Sequence, residues 1–123
     1  MLLAARIVAA IVALLHVQFL VLEMFLWEKP FGLRAFRQSA EQAARTALLA
    51  KNQGLYNGIL AAGIVWGIAL SIQRAPHARE VLTFFLAAVV VAGVYGGATV
   101  SRSIFVVQAA PATVALVLLW LAP

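Results

Sequence analysis

A single glutamate, Glu23, stands inside an apolar stretch that runs from Ile7 to Trp27. Placing a carboxylate at membrane depth costs at least a few kcal/mol, so such residues usually face a helix bundle and take part in function. His16 lies seven positions earlier on nearly the same helical face and supplies a second group able to transfer a proton. We therefore predict Glu23 and His16 as the catalytic pair of an intramembrane polar pocket.

Further polar side chains are predicted to reach the depth of Glu23 from the other apolar segments. The estimate uses a rise of about 1.5 Å per residue along each helix. Amide, hydroxyl and guanidinium groups at that depth would orient the polar atoms of a ligand. The predicted ligand-binding residues are Asn52, Gln53, Tyr56, Asn57, Tyr95, Thr99, Arg102 and Gln108.

Structural roles compete with this interpretation. Asn57 and Gln108 would each serve equally well as interhelical hydrogen-bond partners, and a buried histidine often does the same. Glu23 and Arg102 would also form a structural ion pair if they met. We favour function for Glu23 because a neutral residue would pack there at lower cost.

The sequence contains no residue pattern that predicts a metal or cofactor site. His16 and Glu23 stand about two helical turns apart, whereas metal ligands lie about 2 Å from one ion. His77 falls in a loop predicted on the opposite side of the membrane. There are no cysteines, which excludes disulfides, thiolate metal sites and iron–sulfur clusters. No nucleotide-binding fingerprint is present, so we predict neither a metal nor a cofactor.

Composition places the chain in a membrane. Of its 123 residues 65% are hydrophobic and 11% charged, against about 25% charged in soluble domains. A chain this short cannot bury the excess, so lipid must solvate it. The net charge of +5 comes from residues scattered between apolar runs. This spacing is typical of membrane topology signals, and we predict no nucleic-acid partner.

Four apolar runs predict the fold. A helix needs about 20 residues to cross the bilayer core, and helices satisfy their own backbone groups there. We predict an all-α integral membrane four-helix bundle of up-down-up-down topology, forming a single domain over 1–123. Between its first two helices, residues 31–51 are predicted to form an amphipathic interfacial helix, or alternatively a solvated connecting helix. The predicted membrane helices are 2–27, 53–73, 80–101 and 103–122.

The distribution of basic residues predicts the orientation. Lys29, Arg34, Arg37, Arg45, Lys51 and Arg102 fall on one predicted side, and Arg6, Arg74 and Arg79 on the other. Cytoplasmic loops carry the excess of lysine and arginine, so we predict that the segment 28–51 is cytoplasmic. The first run is too long for a cleaved signal peptide and lacks a small-residue cleavage site. Membrane lipid is therefore the expected partner, and a homo-oligomer stays open.

Several strings carry a family resemblance. Leu22–Trp27 reads LEMFLW and Asn52–Gly58 reads NQGLYNG; His16, Tyr95-Gly96 and Gln108 with Pro111-Ala112 complete the set. They resemble the small bacterial and fungal integral membrane proteins of the domain-of-unknown-function 1304 family, over nearly the whole chain. The resemblance implies a four-helix membrane protein, here expected in a bacterial inner membrane, and brings no activity, substrate or cofactor.

Three functions therefore stay open at this point. The first is binding or transformation of a small lipid-like molecule through Glu23 and His16. The second is a small proton- or cation-coupled transporter subunit, which predicts an oligomer and a flux lost in Glu23→Gln. The third is a structural or accessory membrane protein, in which the same substitution would change stability alone. Whether the protein is an enzyme is not decided by these residues.

Overall fold

The fold is entirely helical. The structure is a computed structural model that covers residues 1–123, and it contains no strands. The prediction of an all-α protein is therefore confirmed. The helices are α1 (Leu2–Met24), α2 (Pro30–Ala35), α3 (Ala40–Ile72), α4 (Ala78–Thr99), a π-helix (Phe105–Ala109) and α5 (Ala110–Leu121).

Three helices are long and apolar enough to span a membrane. These are α1 with 23 residues, α3 with 33 and α4 with 22. The fourth apolar helix, Phe105–Leu121, is shorter than the three spans. The chain thus has the composition and helix lengths of a membrane protein, and three of the four predicted membrane helices are long enough by this measure.

The largest difference from the predicted boundaries lies between the first two membrane helices. We expected an interfacial helix over 31–51 and a separate span over 53–73. Instead α2 ends at Ala35, and one continuous helix runs from Ala40 to Ile72. Arg37 takes a positive φ of 51°, which ends α2. No proline lies between Ala40 and Ile72, so the hydrogen-bond ladder continues from the polar segment into the apolar one.

A capping box starts α3. The Ser39 N–H donates to Gln42 Oε1 at 3.0 Å, and the Gln42 N–H donates to Ser39 Oγ at 3.2 Å. These reciprocal bonds satisfy two of the amides that the first turn of a helix leaves without partners.

We expect Ser39→Ala to lower the free energy of unfolding by about 1 kcal/mol, because the side-chain acceptor for the Gln42 amide is lost. Chemical or thermal unfolding in detergent measures the change. The matched control is Ser103→Ala, which removes an exposed hydroxyl that bonds only the Ser101 hydroxyl, at 2.8 Å, and caps no backbone amide. Equal losses in the two variants would contradict a capping role for Ser39.

The last helix begins with a π-turn. Ala110 donates its N–H to Phe105 O, a bond that spans five residues. Pro111 follows directly; it has no N–H, and its ring conflicts with the carbonyl four residues earlier in an α-helix. A widened turn before the proline is a common accommodation and explains why regular α-helix starts only at Ala110.

The chain divides into two compact units, Met1–Leu15 with Leu60–Pro123, and His16–Ile59. In the first unit, small and branched side chains at helical spacing form the core. They are Ala5, Ala9, Val12 and Ala13 of α1, Ile64 of α3, Leu82, Leu86 and Val89 of α4, and Ala112, Ala115 and Leu119 of α5. Alanine and glycine allow helix backbones to approach closely, which replaces hydrophobic driving force in lipid.

Large apolar side chains cover the outside of the helices. Leu14 is 67% exposed, Phe84 68% and Val106 72%. Soluble monomers rarely show contiguous apolar surface of this kind. The outward faces therefore suit hydrocarbon, in agreement with the helix lengths.

Candidate functional site

The second unit brings Glu23 and Asn57 together. The Asn57 side-chain Nδ2 donates to Glu23 Oε2 at 2.7 Å, and both side chains are half-buried. Glu23 lies in the last turns of α1 and Asn57 in the middle of α3. A short hydrogen bond to a carboxylate is among the stronger polar contacts in proteins. It fixes the orientation of the only acidic side chain in the apolar part of α1.

Close approach of two helices makes this contact possible. A Cβ at Gly54 would lie 2.6 Å from Met24 Cγ, 3.1 Å from Glu23 Cβ and 3.2 Å from Leu20 O. Gly54 and Gly58 form a GxxxG spacing, which lets helix backbones come near each other in lipid. The glycines thus bring α3 near enough for a short asparagine to reach the carboxylate.

A polar and aromatic cluster holds the chain just beyond α1. The Trp27 indole N–H lies 3.2 Å from Ala43 O and 3.1 Å from Thr46 Oγ1. Its ring centroid is 4.6 Å from that of Phe36, and the Gln38 amide donates to Trp27 O at 3.5 Å. These contacts fasten the connection between α1 and α3 one turn from Glu23.

His16 is buried, with 1% of its surface exposed, and its ring meets that of Phe19 edge-on with centroids 6.0 Å apart. Seven residues of α1 separate it from Glu23, which corresponds to about 10 Å along the axis. The two side chains therefore do not form one hydrogen-bonded pair, as the spacing predicts. The role of His16 as a proton-transfer group stays a prediction.

The other polar residues of α3 differ from Asn57 in their exposure. Asn52, Gln53 and Tyr56 are all exposed, with Tyr56 at 55%. The helix thus turns one of its two asparagines toward Glu23 and leaves the neighbouring polar side chains on open surface. Their role in ligand binding stays a prediction.

The remaining predicted residues lie in the first unit. Tyr95, Thr99 and Arg102 are exposed, and the Thr99 hydroxyl donates to Tyr95 O at 2.7 Å. This bond is a local contact within α4 that any threonine can make in a helix. Gln108 is half-buried and lies in the π-helix. Membership of these four residues in one site with Glu23 stays a prediction.

A cleft that the sequence did not suggest opens beside the end of α1. It has a volume of about 340 Å³ and is lined by Met24, Phe25, Trp27, Glu28, Lys29 and Lys51. Residue spacing could not reveal it, because the lysines are 22 positions apart in the chain. The cleft adjoins the turn that carries Glu23, and its lining combines two lysines and one glutamate with two aromatic side chains.

Two comparisons with known proteins give matches over most of the chain. The sequence profile of the family described as "Protein of unknown function (DUF1304)" matches residues 10–120. The chain is also similar to the "Uncharacterized protein YpaA" of Lactococcus lactis subsp. lactis (strain IL1403), with 28% identity over 113 residues, covering 90% of this chain and 92% of the relative. No solved structure matches. The chain carrying the Glu23–Asn57 pair therefore belongs to the DUF1304 family.

Proposed function

We propose that this protein is a multi-pass membrane protein that binds a small lipid-like molecule at Glu23. The observation that carries the proposal is the Asn57 amide, which donates to Glu23 Oε2 at 2.7 Å within a helix apolar enough to span a membrane. An acidic side chain is costly in such a helix, and the acidic residues found in membrane helices usually take part in function.

The chemistry of the carboxylate identifies the class of ligand. An ionised carboxylate only accepts hydrogen bonds and offers about four lone-pair positions on two oxygens. Asn57 uses one position on Oε2. Because Glu23 is half-buried, a further donor has access to the carboxylate. A hydroxyl or amine on a small amphiphile satisfies this requirement, while the surrounding apolar helix faces suit its hydrocarbon part.

The proposal assigns roles to the other residues of the second unit. Glu23 accepts the ligand donor or exchanges a proton with it, and Asn57 holds the carboxylate in place. His16 is the second proton-transfer group, deeper in the membrane. Gln53 and Tyr56 provide polar atoms on the exposed surface of the same helix.

The proposed topology has four crossings. The helix Phe105–Leu121 falls at the lower limit of about 17 residues for a membrane span. Snorkelling flanks or local bilayer thinning accommodate such a short crossing. In this arrangement residues 28–51 lie in the cytoplasm, because six basic residues lie on that side and three on the other.

Lipid extraction from Glu23→Gln tests the proposal. We expect a donor-bearing amphiphile to copurify with the wild-type protein and to fall about tenfold in the variant. Replacing an ionised acceptor by a neutral one weakens a charge-assisted hydrogen bond by roughly 1.5 kcal/mol. Glutamine has the same shape and its carboxamide oxygen still accepts from Asn57, so the fold is retained. Mass spectrometry of the extracts gives the ratio.

The matched control is Glu28→Gln, which removes an exposed carboxylate five positions away. The proposal fails if both variants retain the same lipids as the wild-type protein. Lower stability of Glu23→Gln with unchanged lipids would instead support a structural role. A pH-dependent ion flux that only Glu23→Gln abolishes would support transport.

A further inference from the structure

A basic cleft lies in the first unit, where the ends of several helices meet. Its volume is about 470 Å³, within the ~300–1,000 Å³ range of small-molecule sites. The charged side chains in its lining are Arg6, Arg74, Arg79 and Glu80, together with His77. Three arginines against one glutamate leave two excess positive charges, so the cleft favours an anion.

Two of the guanidinium groups are held in place by the fold. Arg6 donates through Nε to Ser71 Oγ at 2.9 Å and through Nη2 to the Ser71 carbonyl. Arg79 donates through Nη2 to Ala122 O at 2.9 Å, and its guanidinium carbon lies 5.5 Å from the Trp120 ring centroid. A guanidinium has five N–H donors, so each keeps further donors after these contacts.

Apolar side chains share the lining with the arginines. Leu2, Ile72 and Leu119 contribute hydrocarbon surface to the same cleft. Leu2 starts α1 and Ile72 ends α3, and both helices are apolar enough to cross a membrane. The ends of membrane-spanning helices lie at headgroup depth. The cleft therefore combines donors for a phosphate with surface for the acyl chains beside it.

We propose that this cleft binds the phosphate group of an anionic phospholipid. Arginine pairs with phosphate oxygens through two parallel N–H donors, which lysine cannot do. Basic pockets between membrane helices bind anionic headgroups in this manner. Arg74 is exposed and completes the positive lining, while Arg6 and Arg79 are the fixed donors.

The test measures binding of phosphatidylglycerol to the full chain in neutral detergent by native mass spectrometry. We expect Arg74→Gln to weaken apparent affinity about fivefold, which corresponds to about 1 kcal/mol for one arginine near a membrane surface. Glu80→Gln removes the acidic member of the lining and is expected to tighten binding. The matched control is Arg45→Gln, an exposed arginine that pairs with Glu41 outside the cleft.

Phosphatidylcholine and inorganic phosphate are the comparison ligands. Binding of phosphatidylglycerol in preference to phosphatidylcholine, unaffected by millimolar phosphate, would support the proposal. It is overturned if phosphate displaces the lipid, since the cleft would then recognise the free anion. It is equally overturned if Arg74→Gln and Arg45→Gln weaken binding alike. None of these results depends on Glu23, so they do not bear on the proposed function.

Discussion

Gly93→Ala is expected to lower the free energy of unfolding by about 2 kcal/mol. A Cβ at this position would lie 2.6 Å from the backbone nitrogen of Ala109 and 3.0 Å from its Cα. Both residues are buried, and the atoms that would be displaced belong to the main chain of the π-helix. Overpacking against a fixed backbone costs about 1–3 kcal/mol. A cost at the upper end of this range, less the roughly 1 kcal/mol that alanine gains over glycine in a helix, leaves about 2 kcal/mol. Denaturant titration of the protein in detergent measures the loss.

The control variant is Gly96→Ala, three residues further along α4. It distinguishes the effect of packing on stability from the effect of helix propensity. Its Cβ would meet only side-chain atoms of Ile104, at 3.2 Å and beyond. Both substitutions gain about 1 kcal/mol of propensity from replacing glycine in a helix. We therefore expect Gly96→Ala to be neutral or slightly stabilising. A Gly93→Ala variant as stable as Gly96→Ala would show that the approach of α4 to Ala109 is less tight than the structure indicates.

Gly32→Ala is expected to open the segment between α1 and α3. Gly32 is buried in α2, and an added Cβ would overlap the carbonyl oxygen of Leu26 and lie 2.7 Å from its carbonyl carbon. Main-chain atoms cannot rotate away, so α2 must move. A loss of about 2 kcal/mol raises the population of the open segment roughly 30-fold. Proteinase K cleavage within residues 28–39 measures this population when opening and closing are fast.

The control for this experiment is Ala35→Ser, at an exposed position of the same short helix. Surface substitutions of this kind usually change stability by less than about 0.5 kcal/mol, so we expect a change in cleavage of about twofold or less. Cleavage of Gly32→Ala at the wild-type rate would mean that α2 does not pack closely on Leu26. The Trp27 and Phe36 contacts would then not depend on that packing.

Helix type and approximate extent follow from elementary features of the chain. Long apolar runs separated by Pro30 and Pro76 allow only helices in lipid, where every backbone donor and acceptor must be satisfied locally. The bounds of α1 and α4 differ from those predicted by three residues or fewer. The helix α3 starts earlier than the predicted span because an apolar run marks only the part that lipid can solvate, whereas a hydrogen-bond ladder stops only at a cap or a breaker.

The sequence could not predict that Asn57 is the residue that bonds Glu23. Asn52, Gln53, Tyr56 and Asn57 are polar neighbours on one helix, and nothing in their spacing distinguishes the one that meets Glu23. In a soluble helix an apolar stripe would reveal the inward face. In α3 the exposed side is apolar as well, since Leu55 and Ile59 are exposed, so this signal disappears.

The amino-acid sequence alone determined the apolar helices, the costly acid at position 23 and the family motifs, because these depend on local composition and length. Folding in three dimensions decided that Asn57 bonds Glu23 across 34 positions and that Arg6 and Arg79 meet around one cleft. Such contacts depend on helix rotation and on the close approach that glycines permit. Those variables act between segments, and no local stretch of chain encodes them.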